Sequence, residues 1–164
     1  MRPNTKKGFT LIELLVVIAI IGVLSSVVLA SLNTARSKGN DAGVKANLNT
    51  IVTQAALYLS ENSNVYGVFN NGSGAADACP TTGTGSVFHD ATIMRAIASA
   101  LVDSSGGTAT CLSTNAAYAV AVTRPVGATS SPSTYWCADS TGNRCGVNSN
   151  ALTGPSCGTC VTSL

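Results

Sequence analysis

The residues able to do chemistry are few and fall in two places. One is Glu13, the single charge in an otherwise mostly apolar run from Phe9 to Leu32; the other is a set of six cysteines, all beyond residue 78. A carboxylate at membrane depth costs about 2.5–3.5 kcal/mol on insertion scales, so it calls for a partner of opposite charge. The cysteines offer disulfides, redox chemistry or metal ligation. Cys157-Gly158-Thr159-Cys160 has the CxxC spacing of thiol oxidoreductases. Those enzymes place the motif at a helix N-terminus, which lowers a thiol pKa, and no helical pattern follows it here. Cys137, Cys145, Cys157 and Cys160 as thiolates would suit zinc, but an exported chain in an oxidising compartment favours disulfides. His89, the only histidine, has no nucleophile motif around it and reads as a surface or capping residue. Asp139, in a turn signal, offers calcium one carboxylate where about six to eight oxygens are needed. The expectation is no catalytic residue, no metal site and no cofactor.

The elements that must position these groups begin with a helix. Leu14 to Leu32 is nineteen residues without a charge, roughly 28 Å as a helix and close to the ~30 Å hydrocarbon core of a bilayer. Lipid forces a backbone to satisfy its own hydrogen bonds, so the segment should be helical despite its many Val and Ile residues. Residues 33–43 are polar and leave the membrane without stopping the helix, although Gly39 and Gly43 should weaken it by up to about 1 kcal/mol each. Val44, Leu48, Ile51, Ala55, Tyr58 and Leu59 then recur at three and four residues, the stripe of a helix laid on a globular domain. Asn62-Ser63-Asn64 is a turn signal.

Gly8-Phe9-Thr10-Leu11-Ile12-Glu13, with the basic leader before it and Leu14–Leu24 after it, resembles the class III signal of type IV pilins and type II secretion pseudopilins. The resemblance is tight over residues 6–32 and loose to about residue 62; beyond that it extends to architecture alone. It implies cleavage between Gly8 and Phe9 by a membrane prepilin peptidase, N-methylation of Phe9 by the same enzyme, and assembly guided by Glu13. It also implies a helical homopolymer with other pilins, built on an inner-membrane platform from subunits stored in membrane lipid. Adhesion, motility and DNA uptake are the uses open to such a fibre. A pseudopilin of a periplasmic secretion piston fits the same motif. Many type IV pilins carry a proline where this chain has Ala30, so no proline kink is expected there; Gly22 does match a glycine of the family.

The physics stands apart from the resemblance. Cleavage after Gly8 would create an α-ammonium on Phe9, a group that ordinarily titrates near pH ~8 and is mostly protonated at neutral pH. Glu13, four residues on, can answer that ammonium or a neighbour's. In a dry bundle the attraction far exceeds its value in water, and a buried ion pair serves registry better than net stability. Lys and Arg number nine against seven acidic residues, but three of the nine lie in residues 1–8. A chain starting at Phe9 therefore has six against seven and a net charge near −1. No basic patch for nucleic acid follows. The leader lysines stay cytoplasmic by the positive-inside tendency; Arg36, Lys38 and Lys45 blur that signal, and the cysteines place the C-terminal part outside the cytoplasm. Val28-Leu29-Ala30 also offers a signal-peptidase site, and a cut after Ala30 would release a secreted binding protein. A glutamate inside an ordinary signal is unusual.

The rest of the chain reads as a head. Residues 65–87 form a Gly/Asn/Thr-rich connection that includes the formal sequon Asn71-Gly72-Ser73. Asp90 can cap a short helix with Ile93, Met94, Ile97 and Leu101 as its apolar side, closed by Gly106-Gly107. Residues 108–112, 116–124 and 133–138 read as strands, the second with Tyr118, Val120 and Val122 on one face. Residues 143–164 read as loop-rich and stapled. The fold class is α+β and pilin-like: leader 1–8, membrane-spanning assembly helix 9–32, amphipathic continuation 33–62, and a globular head 63–164 on a small antiparallel sheet. Six cysteines allow fifteen pairings. Cys79 and Cys111 bracket the short helix and are favoured as a pair, with Cys137, Cys145, Cys157 and Cys160 pairing among themselves. Aromatics are 5% of the chain, too sparse for an aromatic-stacked conductive fibre.

Overall fold

The computed structural model describes residues 8–69, 77–125, 133–148, 152 and 154–163. They form α1 (Leu11–Glu61), β1 (Asp77–Ala78), a 3-10 turn (Val87–His89), α2 (Ala91–Asp103), β2 (Ala109–Ser113), β3 (Tyr118–Thr123), β4 (Tyr135–Asp139), β5 (Arg144–Val147) and β6 (Thr162–Ser163). The six strands make one antiparallel sheet in the order β1-β2-β3-β4-β5-β6, each pairing with its sequence neighbour. The class is α+β. Contacts divide the chain into one unit ending at Arg36 and another running from Ser37.

The first unit holds the N-terminal part of α1. Every Leu, Ile and Val from Leu11 to Leu32 is exposed. Within the second unit the same helix buries one stripe: Asp41, Val44, Leu48, Ile51 and Ala55, at spacings of three and four. Covering a Leu or Ile fully contributes about 1.5–3 kcal/mol. The stripe joins Ile93, Ala96, Ile97 and Ala100 of α2 and one face of the sheet, including Cys111, Tyr118, Val120, Val122, Trp136 and Ala138. The helix ends where Ser63 and Asn64 take positive φ and the Asn64 N–H reaches back to the Leu59 carbonyl at 3.0 Å, closing the last turn.

α2 is capped by Asp90, whose Oδ1 accepts from the N–H groups of Thr92 and Ile93 at 2.8 and 3.0 Å. Gln54 of α1 donates to its Oδ2 at 3.3 Å. Gly106, at φ 82°, donates to the Leu101 carbonyl and closes the helix. The buried side of α2 is set by Ala96 and Ala100 as well as Ile93 and Ile97, while Met94 and Leu101 are only half-buried. Two alanines allow close approach, and Gly43 of α1 shows how close. A Cβ there would sit 2.4 Å from Oδ2 of Asp103, which also accepts from Asn47 Nδ2 at 3.1 Å. Gly43 thus makes room for the end of α2, beyond any weakening of its own helix.

The sheet is covered on both faces. Ala119, Ala121, Cys137 and Cys145 pack on the second face with Val147, Leu152 and Cys157. This corrects the loop-rich expectation for residues 143–164: β5 pairs with β4, and β6 pairs with β5 at Cys145↔Ser163 and Gly146↔Thr162. The connection 65–87 likewise supplies β1, which pairs Asp77 with Cys111. The sequon at 71–73, and the leader residues before Gly8, lie outside the described residues.

Candidate functional site

The N-terminal site is built on the start of α1. Gly8, Phe9 and Thr10 precede the helix and are exposed, Phe9 by 92%. Thr10 is the N-cap. Its backbone N–H and its hydroxyl both donate to Oε2 of Glu13, at 2.8 and 2.7 Å, and the Glu13 N–H donates back to the Thr10 hydroxyl at 3.3 Å. This is a capping box, in which a Thr and a Glu three residues apart satisfy each other's otherwise open donors. The Thr-x-x-Glu spacing stands in the sequence and identifies the motif. Glu13 therefore has local partners, and the bond between Gly8 and Phe9 lies just outside the helical ladder. The exposed apolar surface that follows is long enough to cross a membrane by length and composition.

A second cluster ties α1 to the sheet inside the head. Asp41 is buried and accepts from Trp136 Nε1 at 2.7 Å and Arg124 Nε at 3.2 Å, with Lys45 at 3.7 Å. The ammonium of Lys45 and the guanidinium of Arg124 each lie 4.3 Å from the centroid of the Trp136 ring, within cation–π range. Arg124 also donates to the Ser133 hydroxyl and carbonyl. Sequence reasoning passed over Asp41 as part of a polar linker. Its signal was position: three residues before Val44, it lies on the buried stripe.

All six cysteines are in disulfides: Cys79–Cys111, Cys137–Cys157 and Cys145–Cys160. Cys157 and Cys160 join different strand residues, so the CxxC holds no dithiol, and no thiolate is left for zinc. Among the described residues no group of three His, Cys, Asp or Glu could hold a metal. Asp139 is fully buried. Its Oδ1 accepts from Thr141 N, Thr141 Oγ1 and Asn143 N, and its Oδ2 from Asn143 Nδ2, Ser156 Oγ and Cys157 N, all between 2.6 and 3.4 Å. Burial alone would raise the pKa of this carboxyl. Hydrogen bonds from the Cys157 N–H, the Thr141 hydroxyl, the Asn143 side chain and the Thr141 N–H outweigh burial and hold it below the usual carboxylate range. His89 is half-buried; Ser86 Oγ is 2.9 Å from its Nδ1, and Phe69 meets its ring edge-on at 5.7 Å.

Comparison with known proteins bears on the first of these sites. The family described as Prokaryotic N-terminal methylation motif matches residues 3–29. The Type IV wide pilus major component PilA4 of Thermus thermophilus is 49% identical over 57 residues, 35% of this chain and 44% of that protein. The Type II secretion system core protein G of Dickeya chrysanthemi is 35% identical over 77 residues, 47% of this chain and 50% of that protein. The chain thus spans about half the length of the curated relatives it matches, or less. No solved structure matches it.

Proposed function

We propose that this chain, whose N-terminal segment is similar to those of a type IV pilin and a type II secretion core protein, is a structural subunit of a pilus filament. The observation that carries the reading is one combination. A capped, charged helix start at Thr10–Glu13 is followed by a stretch to Leu32 whose large apolar side chains all lack intrachain cover. An apolar surface of that extent calls for lipid or for copies of itself. Lipid would hold the subunit before assembly, and neighbouring helices would replace lipid in the fibre.

In this reading residues 1–8 are a leader, the prepilin peptidase cuts between Gly8 and Phe9, and Phe9 becomes the N-methylated terminus. Both bonds that Thr10 donates fall on Oε2 of Glu13, so the carboxylate keeps a second oxygen for an ammonium, its own or a neighbour's. That pairing would offset the burial of charge and set the axial register between subunits. The assembly platform in the inner membrane would receive the subunit with its head outside the cytoplasm, where oxidation closes the three disulfides. The chain is then a substrate of the processing enzyme and acts as a structural polymer, with no catalytic role.

The test is the N-terminus and mass of the chain in sheared surface filaments: a start at methylated Phe9 supports the proposal, and a start at Ser31 replaces it with a secreted protein. A second reading, a periplasmic pseudopilin, draws on the longer match to the secretion protein. Deleting the chain separates the two, since loss of exoprotein secretion with no loss of surface filaments would favour the pseudopilin.

A further inference from the structure

Three cysteines meet on the second face of the sheet, and the exposed Cys160 is bonded to one of them, Cys145. Cys137 and Cys145 stand directly opposite each other on β4 and β5, and both are buried there with Cys157. Opposed residues of an antiparallel pair lie about 4.5–5.5 Å apart, inside the Cα range of a disulfide. These two are eight residues apart in sequence, and Cys157 and Cys160 are three apart. The bonds present span 20 and 15 residues instead. Closing a shorter loop costs less chain entropy. An unfolded chain being oxidised is therefore biased toward Cys137–Cys145 with Cys157–Cys160, and the fold has to overrule that bias.

Asp139 stands where it can do so. It lies two residues beyond Cys137 on β4 with its side chain fully buried. Oδ1 is taken by the turn residues Thr141 and Asn143, while Oδ2 receives the backbone N–H of Cys157 at 2.9 Å. One carboxylate thus fixes the β4–β5 turn and seats the segment carrying Cys157 beside Cys137. We propose that Asp139 is the positioning residue that selects the Cys137–Cys157 and Cys145–Cys160 pairing over the local isomer during oxidative folding.

The chemistry is thiol–disulfide exchange with a small disulfide oxidant. Cys157 first forms a mixed disulfide with the oxidant and releases one small thiolate. The Cys137 thiolate then attacks the Cys157 sulfur; the protein disulfide forms, the mixed disulfide breaks, and a second small thiolate leaves. Cys145 and Cys160, deprived of local partners, are joined by the same two-electron exchange with another oxidant molecule.

The experiment uses the full chain in detergent, reduced and unfolded in urea, then refolded by dilution into a glutathione redox buffer. Disulfides are mapped by proteolysis and mass spectrometry without reduction. The wild-type chain should reach the native pairing. Asp139→Asn should raise the ratio of local isomer to native pairing about tenfold, the factor that one charge-assisted hydrogen bond supports. Thr141→Val, which loosens the turn and leaves the Cys157 N–H bond in place, should keep the native pairing. An isomer ratio in Asp139→Asn unchanged from wild type, or an equal rise in Thr141→Val, overturns the proposal. Should Asp139→Asn not refold, a background with Cys145→Ser and Cys160→Ser decides. There the equilibrium of Cys137–Cys157 against glutathione should fall about tenfold further in Asp139→Asn than in Thr141→Val, and equal values overturn it.

Discussion

Up to Arg36 the described chain covers none of its large apolar side chains; from Ser37 onward it covers most of them. The two regions share one helix, so backbone propensity does not make the difference. Around Leu14–Leu32 the helix is apolar on every side, and no single face can be chosen for burial. From Asp41 the apolar residues narrow to a stripe, and that stripe has a sheet and a second helix to cover it. The head also completes its own chemistry. Among the described residues no buried side-chain polar atom lacks a hydrogen-bond partner, and three disulfides close it. What the N-terminal region leaves open is the surface that lipid or neighbouring subunits would fill.

Breaking the proposed cleavage site should affect the first region alone, and completely. Gly8→Leu should leave a full-length precursor in the membrane, seen as an unshortened intact mass, with the head's disulfides formed as before. Normal shortening would count against the site. The next largest effect belongs to the head. Asp41→Ala removes the carboxylate shared by Arg124, Lys45 and Trp136, and breaking such a buried pair costs about 3–5 kcal/mol. The only tryptophan, Trp136, is part of the cluster, so its fluorescence in denaturant unfolding reads the loss directly. Removing Cys79–Cys111 as a serine pair should cost about 3–4 kcal/mol by the chain-entropy argument, given the separation of 32 residues, again by the denaturation midpoint. An unchanged midpoint in either variant would deny the head its self-sufficiency.

Which features were legible follows the same division. Periodicity revealed α1, its stripe from Val44 to Leu59, the capped α2 and the three central strands, because each buries a repeating face. The edge strands β1 and β6 have two residues each, too few to show a period, and β5 is Arg-Cys-Gly-Val, with a glycine and no alternation. Asp41 was obscured because its partners are 83 and 95 residues away; only the closed sheet turns a polar position on the stripe into core. The disulfide pairing needed topology too, since fifteen arrangements satisfy the sequence alone. The capping box differs. Thr10 and Glu13 are three residues apart, and their spacing is readable in the sequence; the sequence expectation instead partners Glu13 with the α-ammonium of Phe9, its own or a neighbour's.

Acid offers a gentler probe of the head. The Asp139 carboxyl is held below its ordinary value in the folded state. Its contribution is therefore complete above the unfolded value of about 4 and is lost as pH falls through its own lower value. Unfolding midpoints followed downward from pH 5 should decline in that window, and Asp139→Asn should flatten the decline. A slope unchanged by the substitution would place the acid sensitivity on another carboxylate.

The smallest effect is the one that separates two roles for Glu13. Within the helix it caps; in the proposed fibre it pairs with an ammonium. Thr10→Ala removes the hydroxyl from the capping box but leaves the carboxylate, and the loss of such a cap costs about 0.5–2 kcal/mol. Glu13→Ala removes both roles. If capping were the whole function, the two variants would reduce filament yield alike. The expectation is unequal: Thr10→Ala frays the first turn, seen as faster amide exchange at residues 11–14, and still assembles. Glu13→Ala is processed and inserted but polymerises poorly. Equal yields of sheared filament from the two would reduce Glu13 to a helix cap and remove the charge pairing from the assembly mechanism.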